Sequence, residues 1–153
     1  MVLSPLTPAD IPEVMRLERL AGYDAFIGRW TAEEHTAEMA SPDARYFGVR
    51  QGDDLTAFMI LQQVRAPQVR LRRISVETPG GGLGTRMLRE IMDWVFDNTP
   101  AEAFWLDVHV ENGRARHVYE REGMTPDEGF DEVHQKMIIP RERWLELRRS
   151  VKP

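Results

Sequence analysis

Alternating strand and helix signals along 153 residues predict a single domain of layered α and β structure. Three observations carry that expectation. Two β-type runs, Arg45–Arg50 and Leu55–Val64, flank the turn Gln51-Gly52-Asp53-Asp54 and read as a hairpin. Met87, Leu88, Ile91, Met92, Val95 and Phe96 recur at helical spacing, with Arg86, Arg89, Glu90 and Asp93 elsewhere on the wheel. A glycine-rich loop joins that helix directly to the strand before it.

The remaining elements follow from their ends. Val2–Leu6 reads as a short first strand. Thr7 can cap a helix, Pro8 suits its first turn, and Asp10 favours its positive end. Ile11, Val14, Leu17 and Leu20 form its apolar stripe, and Gly22 ends it. Thr31-Ala32-Glu33-Glu34 is a capping box for a second helix running to about Ala40, which Ser41-Pro42 breaks. Val69–Val76 is a strand after the hairpin. Thr99-Pro100 stops the amphipathic helix, and Phe104–Val110 alternates as the next strand. Asn112-Gly113 turns the chain into a short helix, Arg114–Glu122, with Gly123 as its stop. Val133–Ile139 is a last strand and Pro140–Arg149 a terminal helix.

Composition narrows the function classes. The chain has no cysteine, which removes thiolate nucleophiles, disulfides and cysteine-ligated metals. His35, His109, His117 and His134 lack close metal-ligand spacing, so no metal is expected. The net charge of −5 speaks against a general nucleic-acid binder. The longest apolar run is the five residues Ala57–Leu61, against about 20 needed to span a bilayer. With no signal-peptide pattern at Met1–Pro5, the expectation is a cytoplasmic protein with no membrane partner.

Ile74-Ser75-Val76-Glu77-Thr78-Pro79-Gly80-Gly81-Gly82-Leu83-Gly84-Thr85 is a strand, a glycine turn and a helix start. Glycines admit positive φ and close approach of a ligand. The first amides of a helix lack intrahelical acceptors, and with the macrodipole they attract an anion such as a diphosphate. The plain alternative is a glycine connection that holds nothing. A P-loop is excluded because Gly84 is followed by Thr85-Arg86, not Lys-Ser/Thr. The dinucleotide fingerprint fails because Met87 stands where its third glycine or alanine belongs.

A second block runs from Leu106 to Met124 and contains Asn112, Ala115, Tyr119, Gly123 and Met124. With the glycine loop upstream in the expected order, it resembles the GCN5-related N-acetyltransferase superfamily, and most the branch that acetylates ribosomal-protein termini and polyamines. The two blocks span residues 69–124. Pro79 stands where the family's loop usually has Gln or Arg, and Gly81 where a basic residue often sits.

The resemblance implies an α+β fold: a mixed, mostly antiparallel sheet with splayed central strands and helices on both faces. It implies acetyl-CoA as co-substrate, a primary amine on a small molecule or peptide as acceptor, and direct attack in a ternary complex. Pantetheine would pair with β-type backbone at Ile74, Ser75 and Val76. The diphosphate would lie on Gly80, Gly81, Gly82, Leu83, Gly84 and Thr85. Tyr119 is the candidate acid for the departing thiolate and Glu77 the candidate base, with Asp107 and His109 as alternatives. Asn112 would orient pantetheine or Tyr119, and Arg114 and Arg116 are candidates for the ribose phosphate. Tyr23, Phe26, Trp30, Glu33, Glu34 and His35 are candidates for an acceptor pocket. Dimers are common in the family, so a homodimer enters as an expectation that no residue demands. Rival readings are a non-catalytic acyl-CoA-binding sensor, a nucleotide-binding module and a protein-interaction domain.

Overall fold

The computed structural model describes residues 2–20, 30–128 and 131–151. Its elements run β1 Ser4–Pro5, α1 Ile11–Glu18, α2 Ala32–Ala40, β2 Arg45–Gln51, β3 Asp54–Gln62, β4 Gln68–Val76, α3 Leu83–Asn98, β5 Ala103–His109, α4 Gly113–Arg121, β6 Thr125–Pro126, β7 His134–Pro140 and α5 Arg141–Val151. The seven strands form one sheet in the order β1-β2-β3-β4-β5-β7-β6. The pair β4–β5 is parallel, joined by the α3 crossover, and the other pairs are antiparallel.

Local chemistry sets the element ends. A 3-10 turn over Pro8–Asp10 leads into α1, with the Asp10 carboxylate accepting from the Thr7 amide at 2.9 Å. The α2 capping box is present in both directions: Glu34 N donates to Thr31 Oγ1 at 3.1 Å, and Thr31 N donates to Glu34 Oε1 at 3.0 Å. The expected stop at Gly22 lies outside the described residues.

The sheet separates two apolar layers. Val14 and Leu17 of α1 pack with Tyr46, Phe58 and Ile60. On the other face, the buried side of α3 and Trp144 of α5 pack with Phe47, Met59, Leu71 and Phe104. Helices therefore flank both faces. Each large α3 side chain buried here contributes roughly 1.5–3 kcal/mol relative to exposure.

β6 was not expected from sequence. It is two residues long, contains Pro126, and exists only because Thr125 and Pro126 pair with Ile138 and Met137 of β7. Gly123 ends α4 at φ +98°, and a Cβ there would lie 2.4 Å from Leu147 Cδ1. Leu147 can swing aside, but the positive φ cannot be relieved. Gly123→Ala is expected to cost about 1–2 kcal/mol of stability, read by urea unfolding. A loss too small to measure would show that the α4 end is not held in this conformation.

Candidate active site

The sheet opens between β4 and β5. They pair only at Gln68–Ala103, Val69–Phe104 and Arg70–Trp105. Beyond Trp105 the strands diverge, and a cleft of about 1070 Å³ fills the gap. Its apex is bridged by Arg70, whose guanidinium lies 2.5 Å from Asp107 Oδ1. Trp105 lies between two cations, Arg70 and Lys136, each 4.7 Å from its ring centre.

Next to the apex, β4 carries a bulge. Ile60 pairs with Arg73 and Leu61 with Leu71, which leaves Arg72 as the extra residue. The bulge shifts the phase of the strand. Val69 and Leu71 belong to the α3-side core, and Ile74 and Val76 pack against that same core. This phase change is visible in the sequence as apolar positions 69, 71, 74 and 76.

Backbone direction follows from one hydrogen bond. The Glu77 amide donates to Thr56 O at 2.8 Å, so residue 77 faces β3. Alternation makes Ser75 face β3 too and turns the backbone groups of Ile74 and Val76 towards the cleft. Ile74 and Val76 line it. Ser75 does not: its side chain is buried and its Oγ makes no hydrogen bond among the described residues.

At the wide end stands the glycine loop. Gly80 and Gly82 have φ of +95° and +81°, and Gly82 is the N-cap of α3. The first amides of this 16-residue helix have no intrahelical acceptors. Gly80, Gly82, Gly84 and Thr85 line the cleft, whereas Gly81 does not. Leu83 packs against the core instead. Arg114 also lines the cleft, and a Cβ on Gly80 would lie 3.8 Å from its guanidinium. A cation from α4 thus stands beside a glycine loop, residues 77–85, that carries none of its own. Arg116 points elsewhere, 3.9 Å from Glu120.

Tyr119 lines the cleft from α4. Burial, and then the charge of Asp107, push its phenol up to about 12, so the hydroxyl keeps its proton. Asn112 also lines the cleft, and it caps α4: its Oδ1 accepts from the Ala115 amide at 3.2 Å. Asp107, His109, His117 and His134 border the same space, and the rings of His109 and His134 meet edge-to-face at 5.5 Å.

Glu77 is not brought to this cleft, contrary to the sequence expectation. It follows Val76 on the opposite side of the chain. There its carboxylate meets Arg16 at 3.2 Å, in a separate polar recess of about 370 Å³ shared with Glu13 and Asp54. A one-residue offset along a strand reverses the face.

The acceptor-pocket candidates are also dispersed. Tyr23 and Phe26 lie outside the described residues. Glu33 is exposed, and the Glu34 carboxylate is engaged in its own helix cap. His35 is fully buried: its Nε2 is 2.7 Å from Glu18 Oε1 and its Nδ1 2.7 Å from the Tyr46 hydroxyl. Glu18 also pairs with buried Arg73. Sequence reading missed this network. Its signal was Glu18 standing four residues after Val14, on the buried side of α1. Among the described residues no group of three or more His, Asp or Glu is placed to hold a metal ion. No helix among them is long and apolar enough to cross a membrane.

The sheet thus parts between two parallel strands, with free helix amides at the wide end of the gap and a protonated phenol inside it. The model of the acetyltransferase (GNAT) family matches residues 12–124. The chain is 28% identical over 130 residues to the N-alpha-acetyltransferase RimI of Mycobacterium tuberculosis, covering 80% of this chain and 77% of that protein. Among solved structures, spermidine N-acetyltransferase from Vibrio cholerae in complex with CoA and spermine superposes with a TM-score of 0.81 at 18% identity, over 94% of this chain and 97% of that one. The ribosomal-protein-S18-alanine N-acetyltransferase from Escherichia coli gives 0.77 at 21% identity, over 91% and 92%. These structures share the fold. The chain belongs to the acetyltransferase (GNAT) family, and its class is acetyl-CoA-dependent N-acetyltransferase.

Proposed function

We propose that the chain moves an acetyl group from acetyl-CoA to a primary amine by direct attack, with both substrates bound together in the cytoplasm. One observation carries the reading: the protonated Tyr119 shares a cleft with the α3 amides and the Ile74 edge of β4.

Each residue then has a task. The amides at Gly82–Thr85, with Arg114 beside them, hold the diphosphate end of coenzyme A. The Ile74 backbone pairs with the amide-bearing pantetheine arm, as an added strand pairs with a sheet edge. Attack needs a neutral amine, because an ammonium has no lone pair. One of Asp107 and His109, which border the cleft, takes up the single proton that the amine loses, through water. As the C–N bond forms and the C–S bond breaks, the Tyr119 hydroxyl gives its proton to the leaving thiolate. No covalent enzyme intermediate is required, which suits a chain without cysteine. Holding the two substrates together supplies much of the acceleration.

The reading is tested by following free thiol released from acetyl-CoA across a panel of amines. Release that depends on an amine supports it, and coenzyme A binding without turnover on any amine overturns it. The loop assignment has its own check. Gly82→Asp puts a carboxylate against the diphosphate, in a left-handed conformation that Asp tolerates better than most residues. Calorimetry is expected to show coenzyme A affinity falling at least about tenfold, the loss of one charge-assisted interaction. Unchanged affinity would remove the diphosphate from this loop.

A further inference from the structure

Three arginines stand together on β4 at the apex of the cleft, and all three line it: Arg70, Arg72 and Arg73. Two of them face a carboxylate within the fold. Arg70 pairs with Asp107, and Arg73 with Glu18. Arg72, the bulged residue, is different. Among the described residues no carboxylate lies within ion-pair distance of it, although it is partly buried. Its guanidinium rests 5.4 Å from the centre of the Trp30 ring, which also carries Arg73 at 4.4 Å.

This is an unfavourable place for a cation. Burial and then the charge of Arg70 push the Arg72 pKa down, and Asp107, Glu38 and Glu18 oppose them only from a distance. A guanidinium lying on an aromatic face keeps its planar fork of donors for a partner at its edge, and that fork matches a carboxylate. Arg72, Asp107 and Tyr119 line the same cleft. Of the carboxylates nearest the apex, Asp107 holds Arg70 and Glu18 is buried against Arg73.

We infer that Arg72 is a specificity determinant that pairs with a carboxylate on the acceptor, so that the acceptor is a primary amine carrying a carboxylate close to its amino group. The inference rests on the transferase reading above and narrows its substrate class. A free amino acid and a peptide with an acidic first residue share this chemistry. A polyamine lacks it, and would meet three guanidinium groups at the apex.

The test compares kcat/KM, by thiol release, for matched probes: a tripeptide beginning with aspartate and its asparagine counterpart, alanine and alaninamide corrected for the neutral fraction of each amine, and spermidine. The wild type is expected to prefer the acidic member of a pair by about tenfold or more, as for hydrogen bonds to charged groups. A preference confined to the tripeptides identifies a peptide acceptor, and one confined to alanine a free amino acid. Arg72→Gln is expected to erase the preference by slowing the acidic probe alone. Arg72→Lys, which keeps charge but not the fork, is expected to restore part of it. Coenzyme A affinity and Tm verify that each variant is folded. The inference is overturned if the wild type shows no preference, if spermidine is its best substrate, or if the preference survives Arg72→Gln. Should the glutamine variant fail to fold, the wild-type panel and Arg72→Lys decide. Absence of turnover with every probe, coenzyme A still binding, sinks the transferase reading itself.

Discussion

Replacing Tyr119 by phenylalanine is expected to lower kcat by roughly a hundredfold or more, the typical worth of a positioned general acid. Phenylalanine keeps the ring that packs against the α3-side core and removes only the hydroxyl. Coenzyme A affinity should therefore hold while turnover collapses. The pH profile sharpens the test. A phenol with its pKa raised to about 12 stays protonated while the acceptor amine, near 8–10, loses its proton. The wild-type rate is thus expected to rise with pH until the amine is neutral, with no alkaline fall from Tyr119 below about pH 11. A substitution costing less than a few-fold in kcat, or a rate already falling near pH 9, would remove Tyr119 from the acid role.

The largest expected stability effect belongs to Glu18. Glu18→Ala takes away a fully buried carboxylate that faces both Arg73 and His35. Removing one member of a buried ion pair costs about 3–5 kcal/mol, because the opposite charge is left in a poor solvent. For a chain of this size that lowers Tm by roughly 10 °C. The cost comes from the mismatch and not from lost attraction alone. Glu18→Leu combined with Arg73→Met is therefore expected to recover most of the stability, since well-packed apolar residues often replace a buried pair without loss. A single substitution costing under about 1 kcal/mol by urea unfolding would show that water already reaches this network. Arg73 is next to Arg72, so the single variant is also expected to disturb acceptor use before coenzyme A binding.

Much of the fold was legible because its signals are local. The Thr31–Glu34 capping box, the turn at Gly52 and the α3 stripe each depend on residues within one or two turns of chain, and each stands where the spacing puts it. The glycine loop and the Asn112–Tyr119 block were readable for the same reason. Site details were less so. Gly81, Leu83 and Ser75 belong to segments that border the cleft, but their side chains or positions turn from it. Glu77 was placed by its nearness in sequence to the strand end, and strand alternation sends it to Arg16. Arg114 was one of two equal candidates until α4 packed it beside Gly80.

By itself, the sequence determined most of the strands and helices, their order, and the glycine loop and Asn112–Tyr119 block by which the chain resembles the acetyltransferase (GNAT) family. Periodicity, capping and glycine conformation are short-range properties of a chain. Only the tertiary structure decided where β4 and β5 part, which arginines of β4 pair with a carboxylate of the fold, and that Glu18, His35, Tyr46 and Arg73 meet in the interior. Those outcomes depend on contacts between residues up to 55 positions apart. Such contacts are fixed by how sheet register and helix packing close the core, and no local pattern records them.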